Sequence, residues 1–440
     1  MRTRISVLYV LSGAILGATP DFHQMMHLGQ AALAAADIPA AEKFFLQACG
    51  KTADTEPSAG PFTPDMQASC EHHLAIVDQA RGDLPGAESR LLRALPEWQQ
   101  AGSGFLPSYA MSMMNLGELY RLQRRTGETE DCLSRSVQLA REVRPAYPQI
   151  YPEALSRLGG AYAEFDKPAE GRPLLTEALD AFRSLEPRRQ AAEARVLNTL
   201  GFMDLLEGHT AQALSLLNEA VRLAMTELGE NHLEVATYQS DLAFAYVRSG
   251  QYDRAEPLLN RARFVIESHP VHDSLRLGII FTELSLIACN RNKPALAEEY
   301  SNRAQQILDT LPSQKRVTGL LARVGLGAAW LAQHRLAEAE RLLPDTVAVE
   351  RRVAPHSYLL ADGIHTLASL RALQHSWREA ADLYKESIEI YRNRVGWNNP
   401  AIAPVLKEYA DALKHSGGSK EEAKRMEALA KAISGSLPPG

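Results

Sequence analysis

A small residue returns every 42 residues along most of this 440-residue chain, and this period constrains the fold more than any other feature. The small residues are Ala87, Thr129, Gly171, Ala213, Ala255, Ala297 and Ala339. Ala380 or Ala381 and then Ala423 continue the series, and a leucine stands thirteen residues before most of these positions. A self-similar period of this length is typical of a solenoid, whose stacked units bury a continuous core between neighbours. Such a chain offers extended surface for contacts and rarely a pocket for chemistry.

The composition favours an all-helical chain that binds no nucleic acid. Hydrophobic residues make up 45% and aromatic residues only 7%, and runs that alternate Val, Ile and Thr in the manner of strands are scarce. The formal net charge is −6, and basic residues are interspersed with acidic ones. Without a block of lysine and arginine to track phosphates, nucleic acid is excluded as an expected partner.

One repeat shows how the period builds a helix pair. Leu242 and Tyr246 share one face of a first helix because they lie four residues apart. Gly250 is expected to end that helix, since glycine tolerates the left-handed conformation just past a helix end. Ala255 and Ala262 then lie on the apolar face of a second helix. Their small side chains allow the two helices to approach closely, and a bulky group there would introduce strain.

These positions resemble the tetratricopeptide repeat, in which Leu-Gly is followed three residues later by Tyr and then by a small residue on the return helix. Leu158, Gly159, Tyr162 and Gly171 follow this pattern. The usual period is about 34 residues. The longer period, with LGENHLEVA at 228–236 and VGWNNPAIA at 395–403, is similar to the kinesin light chain class. The resemblance covers about residues 24–432 and implies an all-α fold, a right-handed superhelical solenoid of antiparallel helix pairs.

The domain organisation is predicted in five segments. Residues 1–18 have a positive start, an apolar run and small residues before a proline, which is typical of a secretory signal peptide. A helix pair at 19–50, a linker at 51–64, the solenoid at 65–432 and a disordered tail at 433–440 follow. An exported protein, periplasmic or secreted, is therefore expected, with no membrane span after signal removal. If the first segment is instead an apolar first helix, the protein is cytoplasmic.

The four cysteines leave two alternatives open for one pair. Cys49 and Cys70 flank the predicted linker and could form a disulfide across it in an exported protein, or remain two separate buried thiols. Cys132 and Cys289 fall at apolar helix positions and are expected to be core thiols. No CxxC motif is present, so neither a structural zinc site nor a redox motif is predicted.

No sequence motif supports catalysis, a cofactor or a metal. The chain lacks a P-loop, a Rossmann glycine fingerprint and a GxSxG elbow. His72 with His73, and His269 with His272, are the only histidine clusters, and neither has a carboxylate or cysteine partner that completes a metal set. These histidines are expected to be exposed or half-buried. We therefore predict a protein that is not an enzyme.

The resemblance places the first helix of each pair along the inner, concave groove. Polar donors beside aromatic rings on these helices suit an extended peptide, because amides can bind its backbone and guanidinium groups a carboxylate. The candidate partner-binding residues are Asn115, Arg121, Arg195, Asn198, Phe202, Ser240, Phe244, Arg248 and Asn290. The resemblance further implies that Asn115 and Asn198 hold a ligand backbone. For each residue taken singly, solvation or packing between repeats is an alternative explanation.

The predicted function is a non-enzymatic scaffold that binds a peptide or protein partner in the concave groove. Two other functions have the same fold. One is a cytoplasmic regulatory or assembly adaptor, and the other is a self-associating structural component of a cell-envelope complex.

Overall fold

A computed structural model describes residues 20–35, 37–50, 62–165, 167–269, 274–310, 317–353, 355, 357–395, 397 and 402–435. These residues form twenty α-helices and one short 3₁₀ turn at Ser103–Phe105, with no strand among them. The predicted all-α repeat solenoid is confirmed. The helices are α1 (Pro20–Ala34), α2 (Ile38–Ala48), α3 (Pro64–Arg81), α4 (Leu84–Ala101), α5 (Leu106–Leu122), α6 (Thr126–Val143), α7 (Ile150–Glu164), α8 (Pro168–Arg183), α9 (Gln190–Leu206), α10 (Thr210–Leu228), α11 (Leu233–Arg248), α12 (Tyr252–Glu267), α13 (Ser274–Asn290), α14 (Pro294–Asp309), α15 (Val317–Ala332), α16 (Leu336–Val353), α17 (Tyr358–Leu373), α18 (Trp377–Val395), α19 (Ile402–Ser416) and α20 (Lys420–Gly435).

Consecutive helices pack as pairs, and the turn inside each pair repeats one backbone conformation. A residue with positive φ ends the first helix of most pairs, and it recurs at nearly the same period as the small residues. The residues with this conformation are Gly82, Arg124, Gly208, Gly250, Asn292, His334, His375 and Gly417. Their left-handed conformation frees the next residue to begin the return helix. Gly250, with φ of 73°, ends α11 as its sequence position predicts.

The periodic residues form the interior of the helix pairs. The seven leucines of the period, from Leu74 to Leu326, are at most 6% exposed. The six alanine and threonine residues of the series from Ala87 to Ala339 are fully buried. The close approach of paired helices is visible at Ser285 of α13, whose hydroxyl donates to the backbone carbonyl of Ala297 on α14 at 2.8 Å. The repeat period is therefore the period of inter-helix contact.

The contacts along the chain divide it into two compact units, Met1–Ala192 and Glu193–Gly440, with the division inside α9. We call them unit 1 and unit 2. The sequence analysis predicts no boundary at this point. The predicted signal peptide at 1–18 and residues 51–61 of the predicted linker lie outside the described residues. The final helix continues to Gly435, three residues into the predicted tail, because its apolar face still packs there through Ile433.

A disulfide joins Cys49 and Cys70 in unit 1, with their Cα atoms 5.9 Å apart. Of the two alternatives that the sequence leaves open, the paired one is present. The bond connects the end of α2 to α3, inside a cluster of buried side chains that includes Phe22, Phe45 and Leu74. Cys132 is a buried free thiol as expected, whereas Cys289 is only half-buried.

The expectation that the His72–His73 pair is exposed or half-buried is wrong for His72, which is 5% exposed. Its Nδ1 lies 2.7 Å from the hydroxyl of Ser112, and that oxygen also accepts a hydrogen bond from the Trp98 indole at 2.8 Å. His73 Nδ1 donates to the carbonyl of Ser69 at 2.8 Å. Burial lowers the pKa of His72 to about 3 and that of His73 to about 4, because the interior disfavours the charged ring. Both histidines are therefore neutral parts of the unit 1 core.

Candidate functional site

Six of the predicted site residues lie on α9 and α11, three on each helix, and side-chain contacts join these two helices. Asn198 of α9 donates from Nδ2 to Asp241 Oδ2 of α11 at 2.9 Å. The rings of Phe202 and Phe244 lie next to each other, with centroids 6.2 Å apart and planes inclined by 31°. We call the group of side chains Asn198, Phe202, Ser240 and Phe244 the α9–α11 face; Asn198 and Phe202 are its half-buried members.

The α9–α11 face has unused hydrogen-bonding capacity among the described residues. Ser240 is fully buried and its hydroxyl has no hydrogen-bond partner there. The side-chain oxygens of Asn198 and Gln239 are also without one. A buried polar atom left unpaired costs about 1–3 kcal/mol, so such atoms are rare in native proteins and call for an explanation.

Arg248, at the last position of α11, extends to α17. Its Nη1 donates to Asp362 Oδ2 at 2.9 Å, although the two residues are 114 positions apart in the chain. Asp362 accepts a second hydrogen bond on Oδ1 from the hydroxyl of Tyr391 on α18. The Arg248 side chain is 34% exposed and that of Asp362 is 12% exposed, so the guanidinium lies on the solvent side of the pair.

Two more carboxyl groups lie buried in this part of unit 2. Burial raises the pKa of Glu283 on α13 to about 8, and the nearby positive charge of Arg248 opposes the rise. The pKa of Glu350 on α16 is also raised to about 8, first by burial and then by the negative charge of Asp362. Both groups hold a proton at neutral pH because their surroundings disfavour the charged form.

The remaining predicted site residues are not part of the α9–α11 face, and some of them bind other groups of the same chain. Arg121 in unit 1 is ion-paired with Glu118 at 2.6 Å and with Glu164. Asn290 is exposed at the end of α13, where its amide donates to the Leu286 carbonyl at 3.0 Å. Asn115 on α5 and Arg195 on α9 are half-buried. Asn115 and Arg121 belong to unit 1, whereas the α9–α11 face belongs to unit 2.

The acidic residues that bind the arginines are not predicted from the sequence. Asp241 binds Arg276 of α13 as well as Asn198, and it is 5% exposed. A signal for Glu350 is present in the repeat, because it stands eleven residues after Ala339. The residues at the same position of other repeats are Trp98, Ala140, Phe182, Ala224, Ile266 and Leu308, all of which are core residues.

One group of metal-ligating side chains occurs among the described residues. Asp204, Glu207 and His209 surround the turn between α9 and α10, and their ligand atoms all lie within 4.8 Å of one another. Asp204 and Glu207 also make other contacts with the protein. We assign no metal to this group. In the part of the chain that the structure describes, no helix is long and apolar enough to cross a membrane.

Comparison with known proteins agrees with the repeat. The tetratricopeptide repeat model matches residues 67–142, 151–226 and 192–263. Together with the paired helices and their period, these matches identify a tetratricopeptide repeat protein. The fold is that of a protein–protein interaction scaffold, and such scaffolds are typically non-enzymatic.

More distant similarities extend over different parts of the chain. The clustered mitochondria protein homolog of Danio rerio is 24% identical over 228 residues, which are 52% of this chain and 13% of that protein. The solved apo form of the quorum sensor NprR from B. thuringiensis is 15% identical, covers 94% of this chain and 99% of its own, and has a TM-score of 0.44. A kinesin light chain repeat structure from Podosopora anserina is 21% identical, covers 47% of this chain and 97% of its own, and has a TM-score of 0.35.

Proposed function

We propose that this protein binds a peptide or an extended segment of a partner protein on the α9–α11 face, on the inner side of the solenoid. The observation that carries the proposal is the pair of unpaired side-chain oxygens on Asn198 and Ser240, each one helical turn before a ring of the Phe202–Phe244 pair. Backbone amides and carbonyls of an extended ligand match such unpaired atoms, and aromatic rings supply apolar contact at low cost in side-chain entropy.

A ligand that pairs the unpaired buried atoms of this face would gain binding free energy. An unpaired buried atom that gains a hydrogen bond recovers a cost of about 1–3 kcal/mol, and three such atoms belong to Asn198, Gln239 and Ser240. Phe202 is half-buried, so part of its ring is available to a ligand. Several contacts of this kind spread over two helices give an interface whose central residues dominate the binding energy.

A peptide selection tests the proposal even though the natural partner is unidentified. Peptides selected from a random library for binding to the full chain are measured again on an Asn198→Ala, Phe202→Ala variant. Losing an aromatic anchor and a backbone contact is expected to weaken binding by at least about 10-fold, or 1.4 kcal/mol. Phe264→Ala is the matched control, because Phe264 lies on α12 and is 61% exposed.

The outcomes separate the inner face from the rest of the surface. Binding that is unchanged in the double variant and lost in Phe264→Ala would place the interface on the second helices and overturn the proposal. Circular dichroism and thermal unfolding of each variant distinguish lost binding from lost structure.

We propose further that the protein is exported. The Cys49–Cys70 disulfide supports this, because such bonds persist in oxidising compartments and are rare in the cytosol. The apolar segment that follows Arg2 and Arg4 supports it as well. The intact mass of the native protein is expected to lack residues 1–18 and to include the oxidised cysteine pair. A native mass that retains Met1 to Ala18, with both thiols free, would contradict export.

A further inference from the structure

Two further buried carboxyl groups lie near the ion pair of Arg248 and Asp362. Asp362 binds it directly, and Glu283 is close enough for its pKa to be affected by the arginine. Glu350 is close enough to Asp362 for the two carboxyl groups to interact. We call Glu283, Glu350 and Asp362 the acidic cluster. It holds three carboxyl groups from α13, α16 and α17.

Much of the hydrogen-bonding capacity of this cluster is unused among the described residues. Glu350 is 1% exposed, and neither of its carboxyl oxygens has a hydrogen-bond partner there. Glu283 is 4% exposed, and its Oε2 has none either. Burying a carboxyl group without a partner is unfavourable, and a structure with two such groups in one place therefore calls for a compensating contact.

The Glu350 carboxyl is held against the backbone of α17. A Cβ atom added to Gly363 would collide with Glu350 Oε2, so the glycine allows this oxygen to lie beside the helix next to Asp362. The repeats from Trp98 to Leu308 have an apolar side chain at the position of Glu350. The acidic residue is thus a departure that adds a buried carboxyl group at one place in the solenoid.

Arg248 is more exposed than the carboxyl groups of the acidic cluster. Its side chain is 34% exposed, whereas the acidic residues are almost entirely buried. It also stands at the end of α11, where a long and flexible stem can turn toward solvent without moving the helix. The guanidinium therefore lies where an incoming cationic group would arrive.

We propose that the acidic cluster is a receptor for an arginine side chain of the partner, and that Arg248 occupies this receptor when the partner is absent. The proposal rests on the binding function proposed above and adds a charge preference to it. An arginine is favoured because the site already accommodates a guanidinium. A guanidinium has five donors, which is enough for Asp362 and for the oxygens of both glutamates that remain unpaired in the presence of Arg248.

A small-molecule probe tests the receptor directly. The full chain, an Arg248→Ala variant and an Arg351→Ala control are titrated with N-acetyl-arginine amide by calorimetry and followed by thermal unfolding. Arg351 is the matched control because its ion pair with Glu386 is on the surface, with side chains 45% and 41% exposed. N-acetyl-citrulline amide, which has a similar shape but no charge, serves as the control ligand.

The expected result is that Arg248→Ala binds the arginine amide at least about 10-fold more tightly than the parent chain, since the receptor has lost its occupant. The arginine amide, and not the citrulline amide, then raises the unfolding temperature of this variant. Adding Asp362→Asn to Arg248→Ala is expected to abolish both effects. If Arg248→Ala does not fold, Arg248→Met keeps the aliphatic stem and is used in its place.

Equal effects of arginine and citrulline amides, or equal stabilisation of Arg351→Ala and Arg248→Ala, would overturn the proposal. Lack of binding by a folded Arg248 variant would overturn it as well. Failure of the arginine receptor can be distinguished from failure of the proposed peptide binding. The arginine amide is a single residue, so it cannot bind the α9–α11 face as an extended peptide. Selected peptides that bind that face without any preference for arginine would leave the binding function standing and refute the receptor.

Discussion

Adding one methyl group at two glycines of unit 1 is expected to change its stability in opposite directions. Gly171 lies on α8, and a Cβ atom there would be 2.7 Å from the carbonyl oxygen of Gly159 and 3.3 Å from the backbone nitrogen of Ala163. Gly160 lies on α7, and a Cβ atom there would meet nothing within 4 Å. Gly160→Ala is therefore the matched control for Gly171→Ala.

The expected changes in the free energy of unfolding result from two opposing effects, helix propensity and overpacking. Replacing glycine by alanine inside a helix contributes about 1 kcal/mol of stability through backbone entropy. Overpacking costs about 1–3 kcal/mol, and the upper end applies at Gly171 because a backbone carbonyl cannot rotate away as a side chain can. Gly160→Ala is expected to stabilise unit 1 by about 1 kcal/mol. Gly171→Ala is expected to destabilise it by about 2 kcal/mol, the difference between the two terms.

Hydrogen exchange in increasing urea, read by mass spectrometry on peptides from α7 and α8, measures this difference within unit 1. The midpoint of the Gly171→Ala variant is expected to fall and that of Gly160→Ala to rise relative to the parent. Equal midpoints for the two variants would refute the reasoning, since close contact between α7 and α8 would then have no energetic consequence. A drop in both midpoints would show that alanine at position 160 does not give the stabilisation expected from helix propensity.

Two further predictions concern the pH dependence of stability. Acidification is expected to destabilise unit 1, whereas a rise in pH is expected to destabilise unit 2. His72 and His73 have folded pKa values lowered from 6.5 to about 3 and about 4, so their contribution is present above pH 6.5 and is lost as pH falls toward those values. Acidification to pH 5 is expected to destabilise unit 1 by about 2 kcal/mol for each histidine, measured as the urea midpoint, and an unchanged midpoint would contradict their burial as neutral rings. Glu350 has a folded pKa raised from 4.5 to about 8, so its contribution is present below pH 4.5 and is lost as pH rises through 8. Glu350→Leu is expected to stabilise unit 2 by about 3 kcal/mol at pH 7 and to reduce its pH dependence, and a variant that keeps the full pH dependence would contradict this assignment.

The periodic part of the fold could be predicted from the sequence because each repeat uses the same contact. Leu242 and Ala255 are buried for the same reason as Leu200 and Ala213, namely that one inter-helix contact recurs at a fixed spacing. The turn residues with positive φ follow the same period, but only the glycines among them could be predicted from residue type. Asn292 and His334 adopt the left-handed conformation without being recognisable from residue type alone.

The partners of the predicted site residues could not be predicted in the same way. Arg248 binds Asp362 across 114 positions, and no period within one repeat relates these two residues. Asn198 binds Asp241 of the next first helix, which depends on the angle between adjacent repeats. Glu350 is the exception, because alignment of the repeats would have revealed an acid at an apolar position. Departures from a repeat are therefore more informative about a site than the repeat itself.

The candidate residues already bind other side chains of the same chain, and this affects how the scaffold can discriminate between ligands. Asn198 and Arg248 already bind Asp241 and Asp362, so a ligand that uses them exchanges one partner for another and gains only the difference in free energy. A ligand with the wrong charge would leave a buried carboxyl group unpaired, at a cost of about 3–5 kcal/mol. If these residues contact the partner as proposed, a correct partner gains modest affinity from them and an incorrect one is rejected strongly, so discrimination would arise mainly from the penalty for a mismatch.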